Sequence, residues 1–423
     1  MADAPTRTSI DDVTDDLLEL VFLHVPSPTS LIRAAAVCKP WRRLIADARF
    51  LRRFHMLHRP AVAGYHFNKP RFCKWEKEII YKPAFEPVAS STQLPAINAR
   101  HFSLDFLSDN MTAEFIKPEI MDSRGSLLLM EFRGSNCNNL SHDFPGALVV
   151  CEPLTKRYAA IPRPWDFDAS SCQYERSYLL DGGVADEAGD RIGMSNFRVL
   201  FELNRGNRAH ATVFTAGGDM SSWSEKAIDD LLPVINYKRH VLGRAAGSWY
   251  FFNREHCSTT GVVLDGSTGE YSSFEMPNVD EDWSVHNKWN HRFYVTDDCD
   301  GKPCILSLVD TNLRVFTKRG GDNSDEWVLM NQVTLLETVL AQIGGRYEPD
   351  ELELMNSCRY KLTLSMSTRA TGFIILQLDP YESRFFSVDL KAMEVKLTKK
   401  CPGKIMYPSE LPWPPALHTI TDA

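Results

Sequence analysis

A chain of 423 residues is longer than one ordinary core fills, and at about 150 residues per domain it holds two or three units. Its net charge of −8 argues against a protein that coats nucleic acid, and its 43% hydrophobic and 24% charged residues are those of a globular chain. The ten cysteines include no Cys-x-x-Cys pair, and several sit in apolar runs such as "LVVCEP", the pattern of reduced, buried thiols. The opening "MADAPTRTSIDD" lacks the apolar stretch of a secretory signal. No apolar run approaches the ~20 residues of a membrane span. A cytosolic or nuclear protein with no membrane contact is expected.

Residues 11–58 carry a helical period. Leu17, Leu18, Val21, Phe22 and Val25 form the stripe of a first amphipathic helix. Thr14 is placed to cap it, Asp15 and Asp16 fall where the helix dipole favours negative charge, and Pro26 and Pro28 stop it. A second helix has Ser27 or Thr29 as its cap and Leu31, Ala34 and Ala35 on one face. Pro40 suits the first turn of a third, with Trp41, Leu44, Ile45 and Ala48 at helical spacing, and Phe50, Leu51, Phe54 and Leu57 mark a fourth. So small a unit buries little surface alone, so it is either a cap on a larger domain or a module completed by a partner's helices. The basic residues Arg33, Lys39, Arg42, Arg43, Arg49, Arg52, Arg53 and Arg59 read as a solvated face rather than a nucleic-acid surface, and could steer an acidic partner.

The stretch "VTDDLLELVFLHVPSPTSLIRAAAVCKPWRRLI" resembles an F-box. Leu17, Leu18, Val21, Val25, Pro26, Leu31, Val37, Cys38, Trp41 and Leu44 match the family pattern in order and spacing, whereas the family's opening Leu-Pro is Val13-Thr14 here. The resemblance implies docking onto a Skp-type adaptor and, through it, onto a cullin and a RING protein. The docking residues would be those ten with Phe22 and Ile45, and Leu31 and Trp41 are candidate anchors. Trp41 can also be read as a core residue holding the helices together, and the two roles are compatible.

After about residue 60 the period changes to runs of β-branched and aromatic residues between Gly, Asp, Asn and Ser turns. Strands are expected in "AVAGYHF", "HFSLDFL", "SLLLMEF", "FRVLFEL", "HATVFTA", "RFYVTD", "CILSLVD", "GFIILQL" and similar runs, and one helix in "QVTLLETVLAQIGG" from Gln332. "LVVCEPLTKRYAAIP", "VVLDGSTGEYSSFEMP" and, more loosely, "FFSVDLKAMEVKLT" look like copies of one hairpin. Units of about 40 to 60 residues then point to propeller blades, about six of them, which would resolve the edges of so many strands. This remainder also resembles the β-propeller-like domains that follow the F-box in large plant families, through "LRVFTKRGG", "EWVL" and "ELPWPPAL". The expected class is a multidomain α+β chain, with a helical F-box over 9–58 and a mainly antiparallel all-β, propeller-like domain over 60–415. A β-sandwich with a second β unit is the alternative.

No nucleophile elbow, phosphate-binding loop or dinucleotide fingerprint appears. His286, His291, Cys299 and Cys304 have zinc-ligand chemistry at a spacing that fits no usual finger. Neither metal nor cofactor is expected, and no catalysis. The resemblance implies a substrate-recruiting subunit of an SCF-type ubiquitin ligase whose β domain binds an unknown protein. The alternative, drawn from the altered opening pair, is a scaffold protein that works outside any ligase.

Overall fold

The computed structural model describes residues 13–26, 28–58, 62–73, 78–87, 98–108, 117–133, 147–162, 172–181, 192–205, 208–217, 222–226, 239–253, 260–277, 291–298, 301–309, 312–318, 326–335, 362–367, 373–378, 385–398 and 405–411. Four helices come first, then a large all-β region. α1 (Asp15–Leu23) carries Asp15 and Asp16 in its first turn. Thr14 holds the N-cap position but makes no side-chain cap bond. α2 (Pro28–Ala35) opens on Pro28, which needs no N–H partner there, so Thr29 lies inside the helix rather than capping it. Ser27 is outside the described residues. α3 (Lys39–Ala46) has its proline in the first turn, and α4 (Ala48–Leu57) is capped by Asp47, whose Oδ1 accepts from the backbone N–H of Arg49 (2.8 Å) and Phe50 (3.2 Å).

The β region is built of antiparallel meanders, joined at two places by parallel pairs into larger sheets. β1 (Val62–Cys73) pairs with β2 (Glu78–Pro87) on one side and with the last strand, β23 (Ile405–Glu410), on the other. Then follow β3 (Lys117–Arg124), β4 (Leu127–Arg133), β5 (Ala147–Glu152) and β6 (Arg157–Ile161) in one sheet. A second holds β7 (Cys172–Leu180), β8 (Arg198–Arg205), β9 (Arg208–Thr215) and β10 (Ser222–Lys226). β11 (Arg239–Ala245), β12 (Ser248–Asn253), β13 (Thr260–Leu264) and β14 (Tyr271–Glu275) make a third meander. It touches a fourth, β15 (His291–Asp297), β16 (Pro303–Val309), β17 (Asn312–Lys318) and β18 (Trp327–Thr334), by the single parallel pair Gly243–Val295. A fifth, β19 (Leu362–Ser367), β20 (Phe373–Leu378), β21 (Phe385–Asp389) and β22 (Val395–Thr398), meets β23 in the same parallel way at Met366–Ile405.

Apolar side chains fill the spaces between consecutive meanders. Leu127, Leu129 and Val150 of the β3–β6 sheet pack with Leu179, Val199 and Phe201 of the next. Leu180, Leu200 and Val213 then pack on Trp249, Phe251 and Leu264. Phe252 and Phe274 meet Phe293, Ile305 and Trp327, and Leu306, Leu313 and Val315 meet Ile374, Phe386 and Val388. Tyr407 of β23 closes against Ile120, Leu128 and Met130.

Polar ties join the same sheets where their first strands approach. The buried Asp122 carboxylate on β3 accepts from the Leu179 N–H of β7 (2.8 Å) and from Arg244 Nη1 of β11 (3.4 Å), while Arg244 also donates to the Ser123 carbonyl (2.5 Å). Arg124 pairs with Asp181 and donates to the Gly247 carbonyl (2.7 Å). Glu410 N–H donates to the Gly125 carbonyl (3.0 Å), and Ala246 N–H to Asp297 Oδ1 (2.6 Å). Desolvated charges of this kind persist only when paired.

The three look-alike segments are hairpins β5–β6, β13–β14 and β21–β22, the outer pair of their sheets. Their turns share a form. Glu152, Asp265 and Asp389 are each followed four positions on by a residue of positive φ, namely Lys156 (60°), Gly269 (73°) and Met393 (53°). In two of them the aspartate Oδ1 accepts from the backbone two and three residues ahead, at 2.8 and 2.9 Å.

Two sequence expectations are corrected. "HFSLDFL" is not a strand: its residues lie in a 3-10 turn (Ala99–Phe102) and a short helix, α5 (Asp105–Ser108). Asn98 and Ser103 accept the backbone N–H of Arg100 (3.0 Å) and Asp105 (3.3 Å), bonds that favour turns over a ladder. The helix expected from Gln332 begins as strand instead, because Gln332 and Val333 pair with Arg314 and Leu313 of β17. Residues 336–345 of that segment lie outside the described set. The expectation of buried cysteines holds for Cys151 and Cys304, both fully buried.

Candidate functional site

The sequence-predicted docking residues all fall in α1–α4 or the turns between them, where they divide into two sets. Leu18, Phe22, Leu31 and Ile45 are buried together in one cluster with Leu23, Ala35, Phe50, Leu51 and Phe54. Leu31 has no exposed surface at all. Val25, Trp41 and Leu44 pack partly against this cluster, and Trp41 meets the Phe22 ring edge-on at 5.1 Å. Cys38 is half-buried at the N-cap of α3. These residues build the module.

The other set faces solvent. Leu17 is 54% exposed, Val21 59% and Val37 66%. Pro26 is exposed as well. Leu20 and Ile32 join this outward set, although the sequence reading did not single them out. Their signal was available, because Leu17, Leu20 and Val21 stand at i, i+3 and i+4, a second stripe beside the inward Leu18, Phe22 and Leu23. A helix apolar on two sides is one that expects two neighbours. Of the four apolar residues that mark α4, Phe50, Leu51 and Phe54 are buried and Leu57 is exposed. His58 closes that end of the helix: its ring lies on Phe54 at 4.1 Å and its Nε2 donates to the Leu23 carbonyl at 2.6 Å.

Polar contacts fix the relative pose of these helices. Arg53 of α4 pairs with Glu19 of α1, and Arg42 Nε of α3 donates to the Ala35 carbonyl that ends α2 (3.2 Å). Arg33, Lys39, Arg43 and Arg49 are exposed, as a solvated basic face requires. Leu17, Leu20 and Val21 therefore sit on a helix anchored at its other face. A preformed apolar surface of this kind loses little conformational freedom on binding.

Among the described residues no group of three or more His, Cys, Asp or Glu is placed to hold a metal ion. His291 begins β15 and Cys304 is buried on β16, whereas His286 and Cys299 lie outside the described set. No helix among the described residues is long and apolar enough to cross a membrane.

No curated protein matches the sequence. Solved structures that the chain matches weakly include a protein from Lactobacillus plantarum, 8% identical over 80% of this chain and 82% of that one, with a TM-score of 0.33. A post-proline cleaving enzyme from Rickettsia typhi is 10% identical over 91% of this chain and 57% of its own, at a TM-score of 0.33. Hsv2 from Kluyveromyces lactis is 11% identical over 77% and 74%, at 0.30. The front of the chain is different: residues 15–57, from the first residue of α1 to the last of α4, match the F-box-like family model.

Proposed function

We propose that this chain is the substrate-recruiting subunit of a cullin-RING ubiquitin ligase of the SCF type. The observation that carries the reading is the outward apolar set Leu17, Leu20 and Val21 on α1 and Val37 in the turn after α2, within a helical segment whose whole extent matches the F-box-like model. These residues dock on the helices of a Skp-type adaptor, which brings the cullin and the RING protein. The buried residues Leu18, Phe22, Leu31 and Ile45 serve that interface by holding α1 in place. The chain itself supplies no catalytic group. It acts in the cytosol or nucleus, as two units over 9–58 and 60–415.

The β region is a six-bladed propeller. Five meanders of four strands and a sixth built of β1, β2 and the returning β23 support this reading, as do the cores between successive sheets. The pairing of β23 with β1, which joins the first and last described strands of the region, supports closure of the ring. The substrate protein binds on a rim where loops from several blades converge.

Co-purification of the full chain with a Skp-type adaptor tests the docking. The Leu17→Ser, Val21→Ser double variant changes exposed side chains, so its far-ultraviolet dichroism should match the wild type. Its adaptor affinity should fall by roughly 30-fold or more, the effect of losing about 2 kcal/mol at interface anchors. No complex with the wild-type chain, or an unchanged affinity of the variant, would overturn the proposal and leave a scaffold protein. Leu31→Ala is the poorer probe, because that side chain is fully buried and its loss unsettles the module itself.

A further inference from the structure

A cavity of about 340 Å³ opens between β2, the 3-10 turn and the β3–β4 pair. That volume lies in the range of pockets that hold small organic ligands. Its wall is largely apolar and aromatic: Phe85 and Phe102 stack at 4.4 Å, and Phe132 and Met130 line it further. His66 is one of its lining residues and has no exposed surface. The imidazole Nε2 donates to the Phe102 carbonyl at 3.1 Å, so the neutral ring presents Nδ1 as an acceptor, and that nitrogen is buried without a hydrogen-bond partner. An acceptor left in this state is costly unless something answers it. The exposed Lys82 and Arg100 also line the cavity, and Asp105, another exposed lining residue, is already held by the Ser103 hydroxyl at 2.5 Å.

We infer that this cavity binds a small aromatic molecule that carries a hydroxyl or N–H donor at its inner end and an anionic group at its mouth. The donor meets His66 Nδ1, the ring lies along Phe85 and Phe102, and the anion meets Arg100 and Lys82. Water does not reach Nδ1, so the ligand must move a wall side chain. Phe85 is the one placed to yield: it is only half-buried and touches both His66 (4.7 Å between ring centroids) and Phe102. Gly64 beneath it has no side chain, and a Cβ there would overlap the Phe85 ring and the Glu86 carbonyl. Burial also holds the imidazole well below its usual pKa, at about 4, which keeps Nδ1 an acceptor at neutral pH. The site is separate from the helical module, so the inference stands whether or not the chain docks on an adaptor.

Titration of the purified full chain with 6-hydroxy-2-naphthoate tests it, with 2-naphthoate as the matched compound lacking the donor. Binding to the wild type should saturate, and removal of the hydroxyl should weaken it about fivefold, the value of one net hydrogen bond. Arg100→Glu alters an exposed residue and should weaken the hydroxy acid several-fold, and Ala84→Trp, at the half-buried rim, should abolish binding. Adaptor binding by both variants should be unchanged, which separates this inference from the ligase proposal. Absence of saturable binding, or equal binding of the two acids, would overturn the inference. So would retained binding by a folded Ala84→Trp chain. Binding of N-acetyl-tyrosinamide in preference to the acids would also overturn it, since that points to a peptide side chain.

Discussion

The helices α1–α4 are held by one apolar cluster and keep their charges outside, whereas the β region buries carboxylate and guanidinium groups where its sheets meet. Leu31 and Ile45 need only shape to pack. Asp122 and Arg244 must also satisfy each other, the Leu179 N–H and the Ser123 carbonyl. A small module tolerates surplus apolar surface because a partner can cover it. A repetitive β region gains more from specific polar ties, because stacked apolar sheets alone would slide between registers. The two regions should therefore fail in different ways when broken.

The largest effect is expected in the β region. Asp122→Ala removes a buried carboxylate from Arg244 and should cost about 4 kcal/mol, the range for breaking a buried pair from one side. Urea unfolding followed by tryptophan fluorescence measures it, since Trp249 lies under the Arg244 guanidinium at 4.4 Å. A loss below about 1 kcal/mol would show that the pair is not what orders these strands. The matching change in the module is Leu31→Ala, expected to cost roughly 3 kcal/mol by opening a cavity. Hydrogen exchange should then rise across α1–α4 and leave β4, β5 and β8 protected. Loss of protection in both regions would mean that they fold as one.

The β region should also carry a pH dependence. Folding holds the His66 imidazole neutral down to about pH 4, chiefly through burial, whereas the unfolded chain takes up a proton near 6.5. The unfolded state thus binds more protons between these values. Stability is complete above pH 6.5 and should fall by roughly 3 kcal/mol as the pH drops to about 4. His66→Gln removes that titration, so the slope of stability against pH in this window should flatten. An unchanged slope would assign the pH dependence to other groups.

The same contrast explains what could be read from the sequence. The strands β4, β5, β8 and β16 are legible because their residues are apolar, as in "LLLMEF" and "ALVVCE". The strands β3, β7 and β23 escaped notice, and they hold the polar ties: "KPEIMDSR" contains Asp122, Ser123 and Arg124, all buried, and "IMYPSE" contains the buried Ser409 and Glu410. Composition marks such residues as surface, and only their partners on other sheets make burial tolerable. β2 was hidden in another way, by two prolines in an edge strand. In the module the helices and their residues were legible one by one. The division into inward and outward sets was not, because the family pattern counts matching residues without saying which way each one points.

The smallest effect compares one device used in both regions. Asp47 at the start of α4 accepts the backbone N–H groups two and three residues ahead, and Asp389 at the β21–β22 turn does the same. Each side chain answers donors that the local backbone cannot. Asp47→Ala and Asp389→Ala should each cost about 1 kcal/mol, the usual value for a lost cap. Their sites of damage should differ. Asp47→Ala should raise exchange at Arg49 and Phe50 while Arg53–Glu19 and His58–Leu23 still hold the far end of α4. Asp389→Ala should instead release the whole β21–β22 hairpin, because Met393, at a φ of 53°, depends on the turn to hold its left-handed backbone. Equal, confined exchange at the two sites would show that the turn needs no such support, and that the hairpin is set by Phe386 and Val388 in the core alone.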